Sequence, residues 1–491
     1  MITNTEPFMN NSPNPKGARR TPQKKEPSPA SALREVRKNA SQTTGGPKND
    51  RPSFIRRLVD HWWDRLIGAV YSGSLADQTA QYSAHHAKRD YLFNSLGMGV
   101  WGALFPILTV IATHLAGAEQ AGMFAMAFVI ANLLQFIGNY GVRTFQVSDI
   151  DEMDSFGAYQ VHRVIACALM VLVGYLYCMI RGYADEMLLI CAGTFAFRAI
   201  DAVADVYEGR LQQLDKLYLS GISQIVRCAS VLVVFTLALI ITQSIPLASI
   251  AMAVTSLLTL LAVTIPLTLF ETPRSRKWDF GEVIEIFREC FPAFIAQFLF
   301  ALIEAIPKFV MEGSLSYDNQ LYFNAIYFPA QGILITVSLV YKPQLVRLAN
   351  IWSNPNHRKR FDLIVIAVLA GTAIYTVGNL LVTAWIGIPL TSLIYGLDFE
   401  PYRQAQYLMI VAGGMSAAID FLYQIITVLR QQEKATSAYG IAFAFVTLAS
   451  FALVNVMGFD GAVWAYFSVM AVLLVLLVIQ YVRARLHPRE Y

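Results

Sequence analysis

Charge is scarce in this chain. Only 15% of its 491 residues are Asp, Glu, Lys or Arg, against roughly 25% in an ordinary soluble protein. That shortage excludes a typical cytosolic enzyme and a disordered polymer alike. Cysteine is scarce as well. Cys167, Cys178, Cys191, Cys228 and Cys290 all lie in or beside apolar runs, and none stands at disulfide or metal-ligand spacing, so packing is their expected role. The chain has no Walker A sequence, no H-E-x-x-H and no nucleophile elbow. Gly97-Met98-Gly99-Val100-Trp101-Gly102 has the form G-x-G-x-x-G, but no strand precedes it and it sits inside an apolar run, so close helix packing is expected there. A signal peptide is also missing. The first long apolar run begins near Tyr91 without a cleavage site behind a short basic start, and it reads as an uncleaved membrane helix.

What is present is apolar. Hydrophobic residues make up 55% of the chain and mean hydropathy is +0.46, too much apolar surface for a water-soluble globule of this size. Twelve runs approach the ~20 residues that a bilayer crossing requires: 91–113, 120–142, 160–180, 187–207, 217–241, 246–270, 288–311, 319–341, 361–385, 404–429, 436–457 and 461–482. The expected fold is an all-α polytopic membrane protein. The connections on one side are short, and even the longest of them, 386–403, is partly apolar, which leaves no room for a catalytic domain. No enzymatic activity, cofactor or metal is expected.

The net charge of +4 hides a split. Residues 1–89 carry 15 Lys+Arg and 7 Asp+Glu, leaving 23 and 27 for the rest. Residues 1–50, rich in Pro, Asn, Ser and Lys, are expected to be a disordered basic tail that helps set topology; nucleic-acid binding is not expected. Over 51–89 we expect an amphipathic helix and linker. Phe54, Ile55, Leu58, Val59, Trp62, Leu66 and Ile67 recur at helical spacing among arginines. That helix either lies on an anionic leaflet or docks on the protein body. Alternate connections between the spans are basic (Arg143 and Arg163; Arg210 and Lys216; Arg274, Arg276 and Lys277; Lys342 to Arg360; Arg430 and Lys434), while the intervening ones hold only Arg181, Lys308 and Arg403. The positive-inside rule then places both termini in the cytoplasm.

An internal repeat divides the spans. At an offset of 219 residues, Ala199-Ile200-Asp201 matches Ala418-Ile419-Asp420, Gln212-Gln213 matches Gln431-Gln432, and Gly221 matches Gly440. Asp201, Asp205, Glu208 and Gln212 share one face of the fourth helix, and Asp420, Gln424, Thr427 and Gln431 take the same steps on the tenth. Two six-helix lobes follow, over 90–273 and 274–485, with 486–491 as a cytoplasmic tail. An even helix number relates the lobes by a pseudo-two-fold along the membrane normal, with a site between them near the midplane.

Ionisable groups deep in a membrane helix each cost about 2.5–3.5 kcal/mol on insertion scales, so they face a cavity or a partner. Here they are Arg198, Asp201, Asp205, Arg227, Glu304 and Asp420. Two readings stay open at this stage. In one, the charges of helices 4, 5 and 10 form an ion-pair network that only holds the bundle. In the other, Arg198, Arg227 and Arg143 face an anionic cargo, while Asp201, Asp205, Glu304 or Asp420 binds a coupling proton or sodium. Asn132 and Asn139 with Arg143 on helix 2, and Asn324 and Gln331 with Ser338 on helix 8, form polar stripes suited to a cavity wall or to interhelical bonding. Glu304 and Lys308, four residues apart, can pair. Pro292 and Pro307 are expected to bend helix 7.

Several stretches resemble the polysaccharide-transporter branch of the multidrug/oligosaccharidyl-lipid/polysaccharide exporter superfamily. ATHLAGAEQAGMFAMAF (112–128) resembles its turn after helix 1, with Gly117 and Gly122 at the turn glycines. GVRTFQVSDI (141–150) and YEGRLQQLDKLY (207–218) resemble its inner loops, and IPKFVMEGSLSYDNQLYFNAIYFPA (306–330) its helix 7–8 signature, with Lys308 where Arg is usual. LIYG (393–396) fits its turn after helix 9. The resemblance covers about residues 90–482. It implies two lobes around a cavity in the inner membrane. It also implies flipping of polyprenyl-diphosphate-linked oligosaccharide to the outer leaflet, as in O-antigen and lipopolysaccharide synthesis, with polysaccharide-assembly proteins as partners and Lys308 among the cargo-binding residues. Competing readings are a cation-coupled drug or metabolite exporter, a membrane-embedded glycan polymerase or ligase, and a structural scaffold.

Overall fold

The computed structural model describes residues 84–149, 153–345, 348, 351–352, 358–429 and 432–486. The basic tail, and the amphipathic segment up to residue 83, lie outside the described residues, as does the end of the chain after residue 486.

Among the described residues, twelve helices are long and apolar enough to cross a bilayer. They are α1 (Leu92–Ala116, in a helix that begins at Ala84), α2 (Ala118–Ser148), α3 (Phe156–Arg181), α4 (Asp185–Gln213), α5 (Leu217–Thr242) and α6 (Ile245–Glu271). The second half comprises α7 (Phe280–Glu312), α8 (Asp318–Tyr341), α9 (Arg358–Tyr395), α10 (Glu400–Val428), α11 (Ala435–Met457) and α12 (Phe459–Leu486). The protein is thus a multi-pass, all-helical membrane protein. The face that holds the start of α1 and the end of α12 is called the terminal face here, and the opposite one the distal face.

Packing repeats between the halves. In the first, α1 packs on α5, α2 on α4, α3 on α4, and α4 and α5 on α6. In the second, α7 packs on α11, α8 on α10, α9 on α10, and α10 and α11 on α12. The same set of neighbours, shifted by six helices, is what a duplicated six-helix lobe requires. The most enclosed spans are α2, α10 and α4, while α9 and α11 turn most of their surface to the surroundings. In lipid that exposure is free of penalty, because hydrocarbon is as apolar as the side chains it meets.

Two connections consist of a single glycine. Gly117 (φ +86°) separates the α1 helix from α2, and Gly458 (φ +59°) separates α11 from α12. Reversing direction in one residue needs positive φ, which glycine adopts without steric cost. Gly122, expected as a second turn glycine, is instead inside α2. A Cβ there would lie 1.9 Å from the carbonyl oxygen of Tyr317, so its absence lets the two lobes touch at the distal face.

The sequence is also misleading at the ninth span. The expected loop over 386–403 is helical as far as Tyr395, and Leu390, Leu393 and Ile394 face outward on it. A proline normally ends a helix because it removes an amide donor and crowds the preceding turn. Here a five-residue π-helical turn, Thr383–Gly387, precedes Pro389 and widens the backbone enough to seat it. α6 uses the same device, Leu260–Thr264 ahead of Pro266. α7 runs as one helix through both Pro292 and Pro307.

The repeat glycines test how far the halves diverge. A Cβ on Gly221 would come within 2.3 Å of the Phe93 carbonyl at the α1–α5 contact, whereas Gly440 faces open space. Gly221→Ala is expected to lower stability by about 1–3 kcal/mol through overpacking. Gly440→Ala should be neutral or stabilising by up to about 1 kcal/mol. Thermal unfolding of the purified variants in detergent checks the contrast.

Candidate functional site

α4 is the organising helix. Residues seven apart return to within about 20° of the same direction, and residues four apart are displaced by about 40°. The acidic stripe therefore divides into two adjacent rows, Asp201 with Glu208 and Asp205 with Gln212, and each row holds a different arginine.

The first row is closed. Arg227 of α5 donates to Asp201 Oδ1 from Nη2 at 2.8 Å and from Nε at 3.2 Å, and its Nη1 donates to Glu208 Oε1 at 2.6 Å. Asp201 Oδ2 accepts from Trp101 of α1 at 2.8 Å, from Gln135 of α2 at 2.9 Å and from Arg198 at 3.3 Å. Ser223 donates to Glu208. Arg227 is 2% exposed and Asp201 4%. In the second row Arg143 donates to Asp205 Oδ1 at 2.5 Å and to Gln212. Arg163 adds 2.9 Å contacts to Asp205 Oδ2 and to the Gly138 carbonyl. Arg163 and Arg210, counted as loop charges in the sequence, are each 1% exposed. Arg163 belongs to α3, where it ties α2 to α4.

The buried network thus joins helices 1, 2, 4 and 5. Helix 10 is not in it. Asp420 stands apart in the second lobe, accepting from the Tyr341 hydroxyl and lying 3.8 Å from Lys342.

Between the lobes lies a cavity of about 450 Å³. Its first-lobe wall is α1, α2 and α4, through Trp101, Phe105, Asn132, Gln135, Asn139 and Arg198, among others. Its second-lobe wall is α7 and α8, through Glu304, Lys308, Asn324, Tyr327 and Gln331. Seven of the twelve residues singled out in the sequence meet here: Asn132, Asn139, Arg198, Glu304, Lys308, Asn324 and Gln331. Arg143, Asp201, Asp205, Arg227 and Asp420 do not line it. Sequence reasoning misses the aromatic lining, Trp101, Phe105, Tyr327 and others. The one signal for it is that Trp101 lies one helical turn from other large side chains.

Several polar groups in the cavity are unsatisfied. The clusters around Asp201 and Asp205 contain four arginines (143, 163, 198, 227) and three carboxylates (201, 205, 208), a surplus of one positive charge. Arg198 has the longest ion pair of the set, and its Nε has no hydrogen-bond partner. Its guanidinium lies 4.6 Å from the Phe128 ring and 5.1 Å from Trp101. Across the cavity, Lys308 is buried without an ion pair among the described residues, and the expected Glu304–Lys308 pair is not formed. The Lys308 ammonium instead sits 4.0 Å over the ring of Tyr327. Glu304 accepts from Tyr466 at 3.3 Å and from Gln331 at 3.5 Å. Asn324 Oδ1 is buried and unpaired. Two cations from opposite lobes, surrounded by amides and aromatic rings, suit an elongated polar anion better than a metal ion.

Removing one member of a buried charge cluster leaves its partners uncompensated, at a cost of about 3–5 kcal/mol. Asp201→Asn is expected to destabilise by that order. Asp420→Asn, at a site 25% exposed, should cost under about 1 kcal/mol. Detergent-phase unfolding curves distinguish them.

No family model matches the sequence, and no curated protein matches it. Solved structures do. The Vibrio cholerae MATE transporter VcmN in the bent form superposes with TM-score 0.54 at 15% identity, over 82% of this chain and 97% of that one. The MATE multidrug transporter DinF-BH, solved with a bound drug, gives 0.58 at 13%, over 82% and 96%. Lipid II flippase MurJ in an inward closed conformation gives 0.60 at 12%, over 81% and 87%. The chain has the two-lobe, twelve-helix fold of these proteins.

Proposed function

We propose that this protein is a transporter that flips a polyprenyl-diphosphate-linked oligosaccharide from the inner to the outer leaflet by alternating access of its two lobes, in the assembly of a cell-surface polysaccharide such as O-antigen. The observation that carries this reading is the placement of Arg198 and Lys308 on opposite walls of one central cavity. A diphosphate cannot cross hydrocarbon unaided, because its charge would be unsolvated there. Guanidinium and ammonium donors replace the lost water with charge-assisted hydrogen bonds. Asn132, Asn139, Asn324 and Gln331 offer donors and acceptors to sugar hydroxyls, and Trp101 and Tyr327 offer flat apolar faces. The lipid tail stays in the bilayer, leaving through the gap between α1 and α8, where Gly102 is exposed and Ile335 half-exposed.

The fold of MurJ, named as a lipid II flippase, is compatible with a cargo of this kind. The Lys/Arg distribution favours a cytoplasmic terminal face and an inner-membrane location. Glu304 is the carboxylate best placed for a coupling proton or sodium ion, since Asp201 and Asp205 are saturated by arginines and Asp420 lies elsewhere. Glu304 also sustains a second reading. A carboxylate beside Tyr327 and Tyr466 suits a cationic cargo, and DinF-BH is named as a multidrug transporter. Neither reading involves bond-breaking chemistry.

Reconstitution separates them. In proteoliposomes carrying a labelled polyprenyl-diphosphate oligosaccharide, Arg198→Ala and Lys308→Ala should each slow flipping about tenfold or more, the scale of one lost charged hydrogen bond. Lys308→Arg should retain most of it. Unimpaired flipping by the double alanine variant would refute the assignment, as would transport of a cationic dye with none of the lipid-linked glycan.

A further inference from the structure

At the distal end of the lobe seam, one carboxylate collects donors from both lobes. Glu312, the last residue of α7, has a side chain only 1% exposed. Arg181, the last residue of α3, donates to its Oε2 at 2.8 Å. Tyr177 of α3 donates to Oε2 at 3.5 Å, and Tyr183, in the turn before α4, donates to Oε1. Tyr317, in the turn before α8, reaches Oε1 at 3.5 Å. Next to it, Gly122 of α2 fits against the Tyr317 backbone, where any Cβ would collide. Three donors come from the first lobe, while the acceptor belongs to the second.

The position is intrinsically poor for an anion. The carboxyl end of a helix carries partial negative charge, which repels a carboxylate, and burial removes its water. Glu312 is tolerable there only while the first lobe supplies its donors, so parting the lobes at this end strands a buried charge. Nothing in the binding of cargo in the central cavity calls for this cluster.

We propose that Glu312, with Arg181 and Tyr183, is a latch that holds the distal face shut while cargo can reach the cavity, and that its release sets how often the cavity opens to that side. The inference rests on the alternating-access reading, but its test needs no cargo. A cysteine placed at cavity residue Ala301 reports access, because the five native cysteines are buried. The protein is reconstituted in sealed vesicles, and a membrane-impermeant maleimide is added on the distal side. Glu312→Gln and Tyr183→Phe should each speed labelling about tenfold, the population shift expected from losing a hydrogen bond to a charged group. Gly122→Ala should act in the same direction by wedging the seam. Arg403→Gln, which breaks an exposed pair with Glu400 on the same face, should leave the rate unchanged. Unchanged labelling in Glu312→Gln and Tyr183→Phe, both eluting as folded protein, would overturn the latch. So would equal acceleration by Arg403→Gln, or equal acceleration of labelling from both faces. Lost flipping together with the expected labelling pattern would count against the cargo and leave the latch standing.

Discussion

Asp201 is an ionised carboxylate at the centre of a membrane protein, where no bulk water can solvate it, and the first lobe is arranged around that constraint. Its two oxygens take five donors from Trp101, Gln135, Arg198 and Arg227. Those donors come from α1, α2, α4 itself and α5. A single acid thus specifies the mutual positions of four helices that have no hydrophobic reason to prefer one neighbour over another in lipid. The arrangement has a consequence for the cavity. Arg227 spends its guanidinium on Asp201 and Glu208, so Arg198 is left with one long contact to the same carboxylate and turns its remaining capacity toward the space between the lobes.

The two lobes share a pattern of packing and differ in chemistry. Asp420 repeats Asp201, but at the same offset Ala417 stands for Arg198 and Val446 for Arg227. The second lobe has no buried network on its tenth helix among the described residues, and it meets its repeat acid with Tyr341 and Lys342 near the terminal face. Its contribution to the cavity comes from α7 and α8, through Lys308, Glu304 and Asn324. A duplicated scaffold therefore presents one cation from each side by unrelated means. That asymmetry lets the two walls hold different parts of one elongated molecule.

Structural and transport roles, both open from sequence, turn out to occupy different residues. Asp205, Arg143 and Arg163 close the terminal end of the first lobe, as Glu312 and Arg181 close the distal end of the seam. These clusters are saturated, and their charges are consumed within the protein. Cavity residues are the reverse: Lys308 and Asn132 make no side-chain hydrogen bond among the described residues, and Asn324 keeps a free acceptor.

Composition and periodicity alone determined that the chain is a twelve-span membrane protein in two repeated lobes, because bilayer thickness and helical pitch act on short stretches that can be read in isolation. The polar stripes on α2 and α8 were legible for the same reason, and four of their residues do line the cavity. What only the tertiary structure decided was which charges cancel. Arg143, Arg198 and Arg227 look alike along the chain. Two of them are consumed by carboxylates and one faces the cavity, since that outcome depends on neighbours 26 to 69 residues away. The π-helical turn that carries α9 through Pro389, and the contact of Gly122 with Tyr317, were hidden likewise. Each is fixed by the packing around it, and a local pattern carries no information about what lies across an interface.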